Sequence, residues 1–344
     1  MTTALEKPPA VARERSDARR LVDAVFHARE FTIGGALVLL VLGTWLTNHS
    51  FLDDQGVKDL LLNASILVLL AVGQSVVVMT RNIDLSVGSV VGLTAYTCGD
   101  LVSGSQHGPV VVVLVGAALG ALCGLVSGAL VSVGKVPALV VTLGMLYVLQ
   151  GVGYALANGG QINAVNLPDS VLALGSGSVL GIPYLPLISA FVLAATAYYL
   201  RSYRSGRELY AIGSSPEAAR LAGIPIRRRV FAAYVFSGAV AGLAGALWLA
   251  RFGTVVANAA GGWELTVVSA VVVGGVAITG GTGSVWGAAL GALLLTTISG
   301  ALVVLRVDPF WEQAITGVLL IAAITTDRIV QVRTTNALRK RSRR

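Results

Sequence analysis

Ten stretches of mostly apolar residues, each close to the length that crosses a lipid bilayer, constrain this chain more than any motif in it. A helix needs about 20 apolar residues to span ~30 Å of hydrocarbon, and within lipid it must satisfy its own backbone donors and acceptors. The stretches lie at about 31–47, 60–80, 83–103, 109–133, 137–156, 184–200, 230–252, 264–280, 284–304 and 310–327. Of 344 residues, 55% are hydrophobic and only 12% charged, about half the charged fraction of a soluble domain. The expected fold class is therefore all-α: a polytopic membrane helical bundle of about ten transmembrane helices. The 41 glycines suit it, because small residues let helix backbones approach closely in lipid.

Charge fixes the expected direction of the spans. With ten spans, 22 of the 25 Lys and Arg residues fall on one side, leaving only Lys58, Arg251 and Arg306 opposite. Basic residues concentrate on the cytoplasmic side, so both termini are expected there. The domain reading is a basic tail at 1–30, a membrane domain at 31–327 with a cytoplasmic segment at 201–229, and a second basic tail at 328–344. Residues 1–30 lack a cleavable secretory signal pattern. The five tryptophans, Trp45, Trp248, Trp263, Trp286 and Trp311, fall near expected span ends, where their rings favour the headgroup layer. Topology accounts for the net charge of +8. Contact with anionic lipid follows from it, and no nucleic-acid partner is needed.

Several chemistries find no support. Cys98 and Cys123 lie in apolar runs, His27, His49 and His107 are isolated, and no metal-ligand spacing is present. Ser/His/Asp sets, paired carboxylates and cofactor motifs are not evident, so a membrane enzyme is disfavoured.

GALV at Gly128–Val131, followed by Pro137, recurs at Gly300–Val303, followed by Pro309. Five spans separate the copies, which would make them inverted five-helix repeats of the kind that places a solute path at a pseudo-two-fold interface. Chance in a Gly- and Val-rich chain is the other explanation. GSVVG at Gly88 and GSVWG at Gly283 recur at a different offset, which weakens the repeat argument.

Residues 201–229 read RSYRSGRELYAIGSSPEAARLAGIPIRRR. Ser215, Pro216 and Glu217 combine a capping hydroxyl, a first-turn proline and an acid at the positive dipole end. A short helix, Pro216, Glu217, Ala218, Ala219, Arg220 and Leu221, is predicted to end at Gly223. It offers a small-residue side and a charge pair to a groove in another subunit; a solvated connector is the plainer alternative.

The stretch AIGSSPEAARLAGIPIRR resembles the coupling loop of permeases in the ribose, xylose and autoinducer-2 branch of bacterial ATP-binding cassette importers. MTRNIDLSVGSVVGL, from Met79 to Leu93, resembles the GGIDLSVGS element of that family, and GGTGSVWGAALGALLL near Gly280–Leu295 its late glycine-rich element. The three matches occur in family order across most of the chain. Arg81 and Asn82 depart from the usual glycines, and Ser214-Ser215 from a common Gly-Asn.

The resemblance implies a permease, paired with itself or a close relative, that docks through Ser215–Gly223 on a separate cytoplasmic ATPase. That ATPase would use ATP and Mg2+, while an external binding protein delivers a monosaccharide or similar small polar solute. The chain itself is expected to bind no cofactor: Gly280–Ser284 lacks the Gly-Lys-Ser/Thr ending of a phosphate loop and reads as a tight turn. Branched-chain amino acids or nucleosides are alternative cargoes, and an ATP-independent secondary transporter is the rival mechanism. The bacterial inner membrane is the expected location.

Buried polarity supplies the remaining candidates. Asp84 is expected at a span end or facing the bundle interior, pairing with Arg81 or capping a helix from Leu85; a gating or solute role is the alternative. Asn63, Gln74, Asp84, Ser86 and Gln150 are the pathway or gating candidates. Ser65, Ser75 and Thr142 are also expected to face inward, although interhelical hydrogen bonds would serve equally well. Residues 157–183, with a short helix expected near 168–174, are either a mobile connector or a receiving surface for the binding protein.

Overall fold

The computed structural model describes residues 30–105, 107–308 and 310–325. The tail readings at 1–29 and 326–344 lie outside these. The membrane helices are α1 (Glu30–Thr47), α2 (Asp54–Met79), α3 (Val87–Val102), α4 (Pro109–Ser132), α5 (Ala138–Ala157), α7 (Tyr184–Ser202), α10 (Ile226–Phe252), α11 (Trp263–Val273), α12 (Val285–Val304) and α13 (Trp311–Thr325). Shorter helices are α6 (Asp169–Ser176), α8 (Arg204–Ser214) and α9 (Pro216–Leu221). Seven are long and apolar enough to cross a membrane unaided, whereas α3, α11 and α13 are shorter. Every stretch read from the sequence is represented by a helix.

Burial sorts the helices into a centre and a rim. The apolar window of α2 is 89% buried and that of α10 is 67%, while α1 reaches only 11%. Around this centre, α10 packs along α4 and α3, and α2 along α12 and α11. Each half's second span therefore packs on the fourth span of the other half. The two GALV copies end α4 and α12, those two fourth spans.

Glycine permits the tightest of these contacts. Gly116, Gly120 and Gly124 recur every fourth residue on one face of α4, opposite Gly238 and Gly242 of α10. A Cβ at Gly120 would overlap the Gly238 carbonyl, and one at Gly242 the Gly116 carbonyl. Backbone meets backbone here, which is how helices associate where lipid competes equally for apolar side chains.

Two stretches are less helical than the sequence suggested. The first begins its helix at Val87 rather than Leu85, because 80–81 forms a turn and 82–86 is irregular. The second is helical only over α11 and then turns through Gly275 (φ 93°) and Gly280 (φ 77°) to α12.

The approach to α11 is also non-helical, with turns over 257–262. Gly253 ends α10 in the left-handed conformation (φ 64°), and Val255 then bridges Ile162. From there the chain runs back along α3 until the Ala259 carbonyl abuts Gly92 and the Ala260 carbonyl abuts Gly88. Gly92 lies ten residues, or about 15 Å, inside the far end of α3. Trp263 opens α11 and rests on Trp248, four residues before the end of α10, at 4.9 Å.

The connection at 157–183 carries structure of its own. It contains a 3-10 turn (Ala164–Asn166), α6 and a ribbon of Ser178–Val179 with Ile182–Pro183. Gly175 of α6 sits directly on the Ala250 carbonyl of α10.

Candidate functional site

The segment between α7 and α10 is built as a rigid bracket. Arg207 closes α7 by donating from Nη1 to the carbonyls of Arg201 (3.1 Å) and Ser202 (3.0 Å). Glu208, buried in α8, accepts from Arg204 Nε at 2.9 Å and from Arg229 Nε at 2.6 Å. The hydrogen bond from Arg229, with Arg204 adding to it, holds the Glu208 carboxyl below its ordinary pKa. Two ends of the segment are thereby tied together through one carboxylate.

The bracket presents α9 as the sequence predicted. Ser215 Oγ accepts from Ala218 N at 3.3 Å, and Gly223 adopts φ 73° just after the helix. The amides of Gly223 and Ile224 take up the Arg220 and Ala219 carbonyls. Ala219 is buried as the inward anchor, while Glu217, Ala218 and Arg220 are exposed. Leu221 is 90% exposed, an apolar tip for which the described residues provide no cover.

The three segments that carried the family resemblance meet directly behind α9. Gly213 has no room for a Cβ, which would overlap the Met79 carbonyl and the Gly281 amide. Gly281 N donates to Met79 O at 3.0 Å. Arg81, in the left-handed conformation at φ 66°, donates from Nε to Gly213 O and from Nη2 to Ser214 O at 2.9 Å. Those carbonyls belong to the last turn of α8, where a cation complements the dipole.

From this junction 82–86 continues into the bundle, its backbone satisfied by other helices. Gln74, with its amide oriented so that both bonds form, donates to Asp84 O and accepts from Asp84 N, each at 3.1 Å. Ile83 O accepts from Thr142 Oγ1 of α5 and from Tyr234 OH of α10, each at 3.3 Å. The Asp84 carboxylate accepts from Ser86 N at 2.9 Å and Ser86 Oγ at 2.6 Å. Asp84 is therefore interior, and its carboxylate holds Ser86, the residue that precedes α3, without bonding to an amide of the helix. It does not pair with Arg81, whose guanidinium is engaged by α8.

The other candidates separate. Gln74, Asp84 and Ser86 form this one buried cluster. Ser65 and Ser75 are buried and bond back to their own helix. Asn63 is instead exposed on α2, against the expectation that it faces inward. Gln150 on α5 is half-buried, with Nε2 at 3.5 Å from Asn258 Oδ1. Sequence reasoning missed Glu208, a lone acid among the arginines of 201–207, and Asn258, hidden in a stretch of alanines and glycines. No group of three potential metal ligands occurs among the described residues.

Comparison with known proteins accords with this arrangement. The sequence profile of the family described as branched-chain amino acid transport system / permease component matches residues 56–324. The chain is 34% identical over 299 residues to the Autoinducer 2 import system permease protein LsrC of Shigella flexneri, covering 87% of this chain and 86% of that one. It is 33% identical over 294 residues to the Ribose import permease protein RbsC of Escherichia coli K12, covering 85% and 91% respectively. No solved structure is a significant match. With a profile spanning most of its length and its three motif segments packed at one junction, the chain belongs to the branched-chain amino acid transport system / permease component family and is a multi-pass membrane permease.

Proposed function

We propose that this chain is the membrane subunit of a bacterial inner-membrane ATP-binding cassette importer for a monosaccharide or similar small polar solute. Both termini and α9 face the cytoplasm, where α9 docks on a separate ATPase that uses ATP and Mg2+. A second permease copy or close paralogue completes the channel, and an external binding protein delivers the solute. The carrying observation is the bracket: α9 projects an exposed Leu221 and Glu217 from a segment tied by Glu208 to α10 and by Arg81 to the end of α2. Force applied at α9 reaches both central helices through these ties. The names of the relatives favour an import system over the ATP-independent rival and over amino acid cargo.

The test is co-purification of the detergent-solubilised chain with its candidate ATPase, comparing wild type with Glu217→Arg and Leu221→Asp. Both positions are exposed, so folding is expected to survive, as checked by size-exclusion profile. Retention by wild type and loss in both variants supports the reading. Absence of any ATPase, or unchanged retention by both variants, sinks it.

A further inference from the structure

The non-helical connection at 254–262, a bridge at Val255 followed by turns over 257–262, poses a physical question: non-helical backbone at membrane depth is tolerated only where it is buried in protein or lines a water-filled space. Parts of it are buried: Ala259 and Ala260 pack against α3. Asn258, Gly261 and Gly262 are exposed. Asn258 sits between residues whose carbonyls abut Gly92, about 15 Å along α3 from its far end, a distance equal to half of a ~30 Å hydrocarbon layer. An exposed carboxamide at that depth is costly against lipid.

Its neighbour repeats the pattern. Gln150 lies seven residues, about 10 Å, inside the end of α5, and its Nε2 stands 3.5 Å from Asn258 Oδ1. Gly153 of α5 lies against the Ala257 carbonyl, so α5 and the turn segment are held in contact beside the pair. Gly261 has no space for a side chain because the Asn258 carboxamide occupies it. Two uncharged amides thus lie side by side on an open face, offering N–H donors and carbonyl acceptors without a charge.

We infer that Gln150 and Asn258 form a solute-contact station midway along the translocation path, selective for a neutral polyhydroxylated solute. Such a ligand needs donors and acceptors in equal measure, and hydroxyls replace the water that otherwise satisfies the amides. Resting on the permease reading above, this names the part of the chain that touches cargo.

The experiment places single cysteines in a Cys98→Ala, Cys123→Ala background, in the full complex with its ATPase in proteoliposomes. Asn258→Cys, Gln150→Cys and the exposed apolar Phe191→Cys on α7 are treated with a charged, membrane-impermeant methanethiosulfonate, with and without ATP and vanadate. We expect Asn258→Cys and Gln150→Cys to react at least tenfold faster than Phe191→Cys in one nucleotide state. Rates no faster than Phe191→Cys in every state place the pair in lipid or a dry interface and overturn the inference. Uptake of radiolabelled pentoses and hexoses supplies the second readout: Asn258→Ala lowers it at least tenfold, and unchanged uptake overturns solute contact. A wild-type complex that accumulates no sugar counts against the proposed function, leaving the thiol rates to decide whether the path passes here.

Discussion

Glu208 and Arg229 meet at 2.6 Å across twenty-one residues of chain, and that one contact closes the loop that holds α9. Arg204 on the preceding turn shares the same carboxylate. Removing the carboxylate leaves Arg229, only 29% exposed, without its partner. Hydrogen bonds to charged groups contribute about 1.5–3 kcal/mol. Glu208→Gln is therefore expected to lower apparent thermal stability and speed proteolysis within 204–225 before the spans unfold. Limited proteolysis followed by mass spectrometry checks the order of cleavage.

Acid acts on the same contact. A carboxyl whose folded pKa lies below its unfolded value stabilises the fold above the unfolded value, about 4.3 for glutamate, and that stabilisation is lost as pH falls through the folded value. Hydrogen exchange of α9 amides is expected to accelerate beyond its intrinsic pH dependence below about pH 4. In Glu208→Gln the excess dependence disappears. An unchanged profile in that variant would assign the acid response to another group.

Arg81 combines a strained backbone with two hydrogen bonds to the end of α8, and the two effects separate by substitution. Arg81→Ala and Arg81→Gly both lose the bonds, but only glycine relieves the left-handed conformation, worth about 1–2 kcal/mol. Arg81→Ala is expected to be less stable than Arg81→Gly by about 1 kcal/mol. Thermal unfolding of the two purified variants in the same detergent gives the comparison.

Asp84 accepts two hydrogen bonds from Ser86 in a buried site. Asn keeps an acceptor oxygen at that place, whereas Leu orphans the Ser86 amide at about 1–3 kcal/mol. Asp84→Asn is expected to fold nearly as well as wild type and to retain transport, and Asp84→Leu to be recovered poorly. Loss of transport in a well-folded Asp84→Asn would show that the carboxylate's charge, rather than its hydrogen-bonding geometry, is required.

Much of this was legible from residue order alone. Long apolar runs mark spans because nothing else hides so much hydrocarbon, and Ser215-Pro216-Glu217 with Gly223 marked both ends of α9. The shortened α3 and α11 were not legible. Hydropathy counts 83–86 and 274–280 as apolar, yet their helical state depends on partners distant in sequence: Gln74, Thr142 and Tyr234 supply the hydrogen bonds that let 82–86 stay outside a helix. The Asp84–Arg81 pairing failed for a related reason, since the Arg81 guanidinium finds carbonyls 132 residues away. Composition registers what a segment is made of and says little about which distant group completes it.

The glycine seam between α4 and α10 has a consequence for biogenesis. Roughly a hundred residues separate the two helices, so at about 5–20 residues per second α4 waits on the order of 5–20 s in the membrane for its mate to be synthesised. During that interval its bare groove is open to lipid and to other nascent chains. A ribosome stalled before α10 would leave a fragment with an unsatisfied docking face, and a separately expressed second half would be its natural complement.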